Sequence, residues 1–295
     1  MDSVRLKATL QLRYPATIFA ITIHGLRPLL LVGNSLHLID KNVVARMRAS
    51  SISDADRYWL EMLNSQGRKI NPILCAFEGQ IRSVPSEKEF WDELVRSCED
   101  VSRLLPKADV VTHLHDQKSG LYSLVQDLSD RYQREHSFLL EVAPSLLERA
   151  SDTENRLRNE RLISIAERLG IARRSLAVVA ALSCLNESKS GDPPSPARRV
   201  LKPAEIQKTQ NAHNALADLR ALEFLIAGHA HGLGDAVLCT ADRPLGRFWR
   251  TLGFKGARAS GRTVTYGFDF SSELLPRLSA TEIEGIAQRL AAATP

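Results

Sequence analysis

What this chain has little of narrows its chemistry first. Its 295 residues hold four cysteines, Cys75, Cys98, Cys184 and Cys239, and no two share a Cys-x-x-Cys spacing. That excludes a zinc ribbon, a thioredoxin-type redox motif and a disulfide-stapled mini-protein, and it predicts buried, reduced thiols. Aromatic residues make up only 6% of the sequence. No stretch approaches the ~20 unbroken apolar residues of a membrane span. The N-terminus carries Arg5, Lys7 and Arg13 but no apolar core of a secretory signal. A soluble cytoplasmic protein with no membrane partner is therefore expected. Neither sign of charge is in large excess: 39 Lys and Arg against 34 Asp and Glu leave +5, too little to argue by itself for a polyanionic partner. The sequence has no G-x-x-x-x-G-K-[ST] and no G-x-S-x-G, and Gly232-Leu233-Gly234 lacks the third glycine of a dinucleotide loop.

What is present reads as an α/β protein. With 44% apolar and 25% charged residues, the chain can bury a sizeable core in one or two domains. Residues 4–33 read as β structure, and Leu29–Val32 is a short apolar run ending at the turn signal Gly33-Asn34. Ser35–Ile39 reads as a buried strand that stops at Asp40, followed by a helix over Lys41–Arg48. Ser53 caps a helix reaching Leu63, and Ser86-Glu87-Lys88-Glu89 is a capping box opening a helix through Leu104. From Gly120 to Leu169 the sequence is helical in period and highly charged, with Gly170 as its C-terminal stop. Ser175–Leu185 is apolar throughout, so periodicity cannot separate strand from helix there. A long helix is expected over 204–227, a buried strand over Ala236–Thr240 that runs into Asp242, a last strand over Thr263–Phe268, and a C-terminal helix capped by Ser279. Alternating strands and helices point to a mostly parallel sheet.

Four acids stand where acids are uncommon. Asp40 and Asp242 end apolar strands, Glu78 closes the apolar run from Ile73, and Asp218 sits on an apolar helix. In a parallel sheet with right-handed crossovers these positions converge on one edge, outside the carboxyl ends of the strands. Carboxylates that close repel one another, and a hard divalent cation, Mg²⁺ or Mn²⁺, relieves the repulsion while leaving room for water and a phosphate. Asn42, Asn214 and Thr240 are placed to support such a site from behind. Asn42 caps or turns as readily as it supports, Thr240 packs in its strand as readily, and Asn214 fits a solvated helix face.

These residues resemble a known family. Asp40-Lys41-Asn42-Val43 is similar to the D-x-N-V opening of PIN-domain ribonucleases, and Thr240-Ala241-Asp242 resembles that family's T-x-D strand end, with an aromatic following at Phe248. Asp218 resembles the helical acid before that strand, and Glu78 the acid of the second or third helix. The resemblance spans about 35–84 and 203–268. It implies a three-layer α/β/α sandwich around a central, mostly parallel sheet, and Mg²⁺ or Mn²⁺ held by Asp40, Glu78, Asp218 and Asp242. It also implies hydrolysis of RNA phosphodiesters and pairing into homodimers. On that pattern residues 35–84 and 171–270 form the core, with Ser175–Leu185 as one of its strands. Residues 1–34 are a β-rich extension, 85–170 a charged helical insert that can take a protein partner, and 271–295 a C-terminal helix.

After Asp242 come Arg243, Arg247, Arg250, Lys255, Arg258 and Arg262 with no acid before Asp269. The first three fall on one helix face, and Arg243, Arg247, Arg250 and Lys255 are the expected nucleic-acid contacts, with a plain solvated face as the alternative. His113-x-His115 and His229-x-His231 have metal-like spacing, but the second lies in a glycine-rich helix end and the first has no third ligand near it in sequence. Two other functions stay open on sequence: a non-catalytic scaffold whose helical insert binds a partner, and a metal-dependent hydrolase of small phosphomonoesters.

Overall fold

The computed structural model describes residues 12–33, 35–78, 84–111, 118–148, 150–188, 194–206, 208–232, 236–261 and 263–291. The expected strand at 4–10, Asn34, His113, His115, Gly234 and Arg262 lie outside them.

A six-stranded sheet organises the chain, in the order β2-β1-β6-β3-β4-β5. Its strands are β1 (Phe19–Thr22), β2 (Gly25–Pro28), β3 (Leu36–Ile39), β4 (Lys69–Asn71), β5 (Asp109–Val110) and β6 (Val237–Thr240). The pairs β3–β4, β3–β6 and β4–β5 are parallel, and β1 runs antiparallel to β2 and β6. The fold is thus mixed α/β on a mostly parallel sheet. Strand residues alternate between two separate apolar cores. Ile21, Leu38 and Leu238 face one, and Ala20, Ile39, Val237 and Cys239 face the other, so both faces are covered.

On the smaller side lie α1 (Lys41–Met47) and α2 (Asp54–Leu63), whose buried Val43, Val44, Trp59 and Leu63 fill the second core. The larger side holds α3 (Ile73–Glu78), α5 (Lys118–Leu147), α6 (Asp152–Arg168), α7 (Leu176–Leu185), α8 (Pro196–Leu201), α9 (Thr209–Ala230) and α10 (Arg243–Thr251), with α4 (Glu87–Leu104) packed on α3. A hairpin of β7 (Phe254–Ser260) and β8 (Thr263–Phe268) forms a second sheet, and α11 (Ala280–Ala291) closes the described chain. The four cysteines are free and buried.

Local chemistry sets the helix ends. Ser86 and Glu89 form the full capping box, and Ser53 accepts from the Asp56 amide. Gly170 takes φ +64° after α6, a conformation that costs a side-chain-bearing residue but not glycine.

Several expectations need correction. Ser175–Leu185 is not a strand but helix α7, all ten of whose residues are buried. Leu29–Leu31 is a 3₁₀ turn rather than β structure. The stretch before Ser35 is not an appendage, because β1 sits inside the sheet against β6. Nor is 85–170 wholly a helical insert: α4 packs on the core helix α3, and β5 extends the sheet beyond β4. The long helix runs Thr209–Ala230, so Gly228 lies inside it and Gly232, at φ +78°, follows its end.

Candidate functional site

Parallel pairing of β3 and β6 builds the centre. Their register sets Ile39 against Cys239, and the Asp40 amide donates to the Cys239 carbonyl at 3.0 Å. The next residues along each strand, Asp40 and Thr240, therefore meet at the strand ends. Thr240 Oγ1 donates to Asp40 Oδ2 at 2.7 Å, and Asn42 Nδ2 donates to the same oxygen at 2.6 Å. Asn42 Oδ1 in turn accepts from the Ala241 amide at 2.8 Å, and Thr240 Oγ1 accepts from the Asp242 amide at 2.9 Å. One hydrogen-bond network thus joins Asp40, Asn42, Thr240 and the backbone of Asp242 across two strands. The side chain of Asp242 also caps α10, with Oδ1 accepting from the Leu245 amide at 2.8 Å.

Glu78 and Asp218 approach this network from the helices. Asn71 Oδ1 accepts from the Ile73 amide at 2.8 Å and so starts α3, which carries Glu78 on its last residue. Asp218 comes from the middle of α9. Their charges act on one another. Burial pushes the Asp218 carboxyl well above its ordinary range, and the charges of Asp40 and Asp242, then Glu78, add to it while Lys202 opposes. Burial also raises Asp40, with Asp242 contributing and the Thr240 and Asn42 hydrogen bonds opposing. Glu78 is pushed up to about 7, by burial first and then by Asp40 and Glu93, against Lys41. Lys41 Nζ stands 4.0 Å from Glu78 Oε1. Asp40 is 7% exposed, and the other three acids are half-buried. Among the described residues, no three carboxylate, imidazole or thiol groups stand together as a ready-made metal cage.

A narrow cleft opens from Asp40 and Glu78 between α5 and α9. Phe77 and Phe224, their ring centroids 4.1 Å apart, line it together with Tyr132, His213 and Arg220. Tyr132 and His213 Nδ1 are 2.6 Å apart, and the Arg220 guanidinium lies 4.4 Å over the Tyr132 ring. Nearby, Arg131 pairs with Glu135 at 2.9 Å and with Glu223, tying α5 to α9. These cleft residues were not anticipated. Their only trace in sequence is the i, i+4 charge pairing of Arg131 with Glu135.

The expected supports divide. Asn42 and Thr240 hold Asp40, whereas Asn214 is exposed and joins none of these hydrogen bonds. The expected basic contacts divide too. Arg243 and Arg250 are exposed on α10, and Arg247 lies between them, its guanidinium proton loosened chiefly by the charge of Arg243, then by slight desolvation, Arg199 and Arg250. Lys255 instead sits on β7 and pairs with Asp269 at 2.5 Å. Arg199 on α8 joins the cluster and was missed, since α8 packs on α10 only in the folded chain.

Comparison with family models, with curated proteins and with solved structures finds no match for the chain. The class defined by the structure is a mixed α/β fold on a mostly parallel sheet, with Asp40 and Asp242 at adjacent strand ends. No helix among the described residues is long and apolar enough to cross a membrane.

Proposed function

We propose that the chain is a PIN-like nuclease, a three-layer α/β/α protein that hydrolyses phosphodiester bonds of RNA with the help of Mg²⁺ or Mn²⁺. The observation that carries this reading is the meeting of Asp40, Thr240 and Asp242 at adjacent parallel strand ends, with the charges of Asp40, Asp242 and Glu78 bearing on Asp218 and that of Asp40 on Glu78. The donor set suits a hard cation, being oxygen throughout, and mutual repulsion of the acids is what such a cation would relieve. Asp40, Glu78, Asp218 and Asp242 would hold it; when bound, it supplies charge stabilisation for the phosphoryl oxygens and a more acidic water.

The chain's own residues do the rest. Thr240 and Asn42 fix Oδ2 of Asp40, and Asp40 lines the cleft. Lys41 stands beside Glu78 and favours its ionised form. Asp242 is held by its amide and by its cap on α10, so its second oxygen has a set direction. Arg243, Arg247 and Arg250 offer cations to the phosphates on either side of the cleaved one.

The test is cleavage of a labelled RNA by the full chain with Mn²⁺. Asp40→Asn and Asp242→Asn should each abolish cleavage while leaving the circular dichroism spectrum unchanged. Full Mn²⁺-dependent activity in both variants defeats the reading. The alternative reading is a non-catalytic interaction module. Isothermal titration separates the two: no Mn²⁺ uptake and no cleavage of RNA or single-stranded DNA supports the module.

A further inference from the structure

Lys202 holds a conformation that its own side chain disfavours. It terminates α8 at φ 48°, ψ 54°, and it is the one non-glycine residue at positive φ among the described residues. Helix ends of this shape are the ordinary place for glycine, because a Cβ there crowds the backbone. The Lys202 amide still closes the helix, donating to the Arg198 carbonyl at 2.8 Å, a bond that glycine would make equally well. Closing the helix therefore needs no lysine side chain. A cation at the carboxyl end of a helix and beside an acid is favoured by charge. Lys202 is exposed, and its charge bears on Asp218, the acid brought to the site by α9. Strain retained at a residue beside a reactive cluster is a recurrent mark of function.

Lys202 does not stand alone. One turn earlier, Arg199 is exposed on α8 and presses on Arg247 across the α8–α10 contact. Arg243 and Arg250 flank Arg247 on α10. Among the described residues none of these five cations forms an ion pair, whereas the neighbouring Arg198 is paired with Glu187 at 2.7 Å. Like charges left uncompensated and adjacent repel, and a polyanion removes that cost. The apolar side of α10, with Leu245, Phe248 and Trp249, is buried, so the strip presents charge to solvent and offers no greasy anchor for a bilayer.

We propose that α8 and α10 form a phosphate track in which Arg199, Lys202, Arg243, Arg247 and Arg250 hold the backbone of a single-stranded nucleic acid, with Lys202 at the end nearest the acids. The nuclease reading supplies what lies at the end of the track; binding along it does not depend on that reading. A single strand is specified because the acids are recessed. A flexible strand can dip one phosphate toward Asp40, whereas a stiff duplex keeps its phosphates on a broad cylinder.

The experiment is fluorescence anisotropy of a labelled single-stranded oligonucleotide with the full chain in EDTA, over a range of salt. Arg199→Gln and Lys202→Gly should each weaken binding by about fivefold or more, and each should lower the slope of log affinity against log salt by about 0.7. Lys202→Gly should at the same time raise the melting temperature by about 1–3 °C, since glycine relieves the strained dihedral. A role confined to the fold does not couple higher stability to weaker binding. Lys202→Gln keeps the strain and removes the charge; it should bind as weakly as Lys202→Gly without the thermal gain. Unchanged affinity and salt slope in these variants overturn the proposal. So does tighter binding of a duplex of the same sequence, or capture by phosphatidylserine vesicles in place of the oligonucleotide. A wild-type chain that binds the strand in EDTA but never cleaves RNA with Mn²⁺ upholds the track and defeats the nuclease reading. One that cleaves while the variants bind normally does the reverse.

Discussion

Glu78→Gln in the metal-free protein probes the acid cluster through stability rather than catalysis. The Glu78 carboxyl rises from its ordinary 4.5 to about 7 in the folded chain, with burial as the main cause, Asp40 and Glu93 adding to it, and Lys41 opposing. The native state therefore binds that proton more tightly than the unfolded state. The associated stability is fully present below about pH 4.5 and is gone once the pH has risen through about 7. At 1.36 kcal/mol for each tenfold change in proton affinity, and allowing for the side chain's partial exposure, the loss comes to about 2–3 kcal/mol. Asp40 and Asp218 are raised as well, so they destabilise the ionised protein in the same direction. Glutamine has the shape of the protonated acid and does not titrate. In EDTA, Glu78→Gln should melt within a degree or two of wild type at pH 4.5. At pH 8 it should melt higher by roughly 4–6 °C, taking about 2 °C per kcal/mol for a chain of this size. Mn²⁺ should reverse the order at pH 8, because only the intact set of acids gains stability from binding a cation. Differential scanning fluorimetry at both pH values, with and without Mn²⁺, reads all four conditions. If Glu78→Gln is no more stable than wild type at pH 8 in EDTA, Glu78 is not held among like charges as described.

Thr240→Val keeps the strand's shape but deletes the hydroxyl that serves Asp40, Asn42 and the Asp242 amide. It should cost about 2–3 kcal/mol in urea melts and raise the Asp40 pKa further, read by carboxyl NMR titration; an unchanged midpoint refutes the network. Gly253→Ala forces a side chain into φ +57° with its Cβ 3.0 Å from that of Asp269, and should cost about 1–3 kcal/mol by the same assay. Asn186 is fully buried and joins Asn155 at 2.6 Å and Asn159 at 2.7 Å. Asn186→Leu should destabilise by about 3 kcal/mol, and replacing all three asparagines by apolar residues should recover much of that loss; additive costs in the double-mutant cycles count against a shared network.

Sequence alone determined the elements whose two sides differ. Helices α2 and α4 announce themselves by serine caps, and the end of α6 by its terminal glycine, whereas the break between α5 and α6 at Ser151 was not read. Strands β3 and β6 are legible because short apolar runs stop abruptly at Asp40 and just before Asp242, which also marked both acids as candidates. Helix α7 was not legible, because an element buried all round has no polar face to set its period, and only packing between α6 and α8 made it a helix. Strand β7 was hidden as well: its small and charged residues carry little strand preference, and its pairing with β8 supplies the structure.

Tertiary structure alone decided which charges face one another. Asp40 and Thr240 are neighbours because β6, late in the chain, inserts between β1 and β3. Lys255 leaves the basic strip for Asp269 through a hairpin, and Arg199 joins the strip through a helix contact. Local patterns report which side of an element is wet. They carry no record of which distant element will supply the charge, because that depends on sheet order and helix packing across the whole chain.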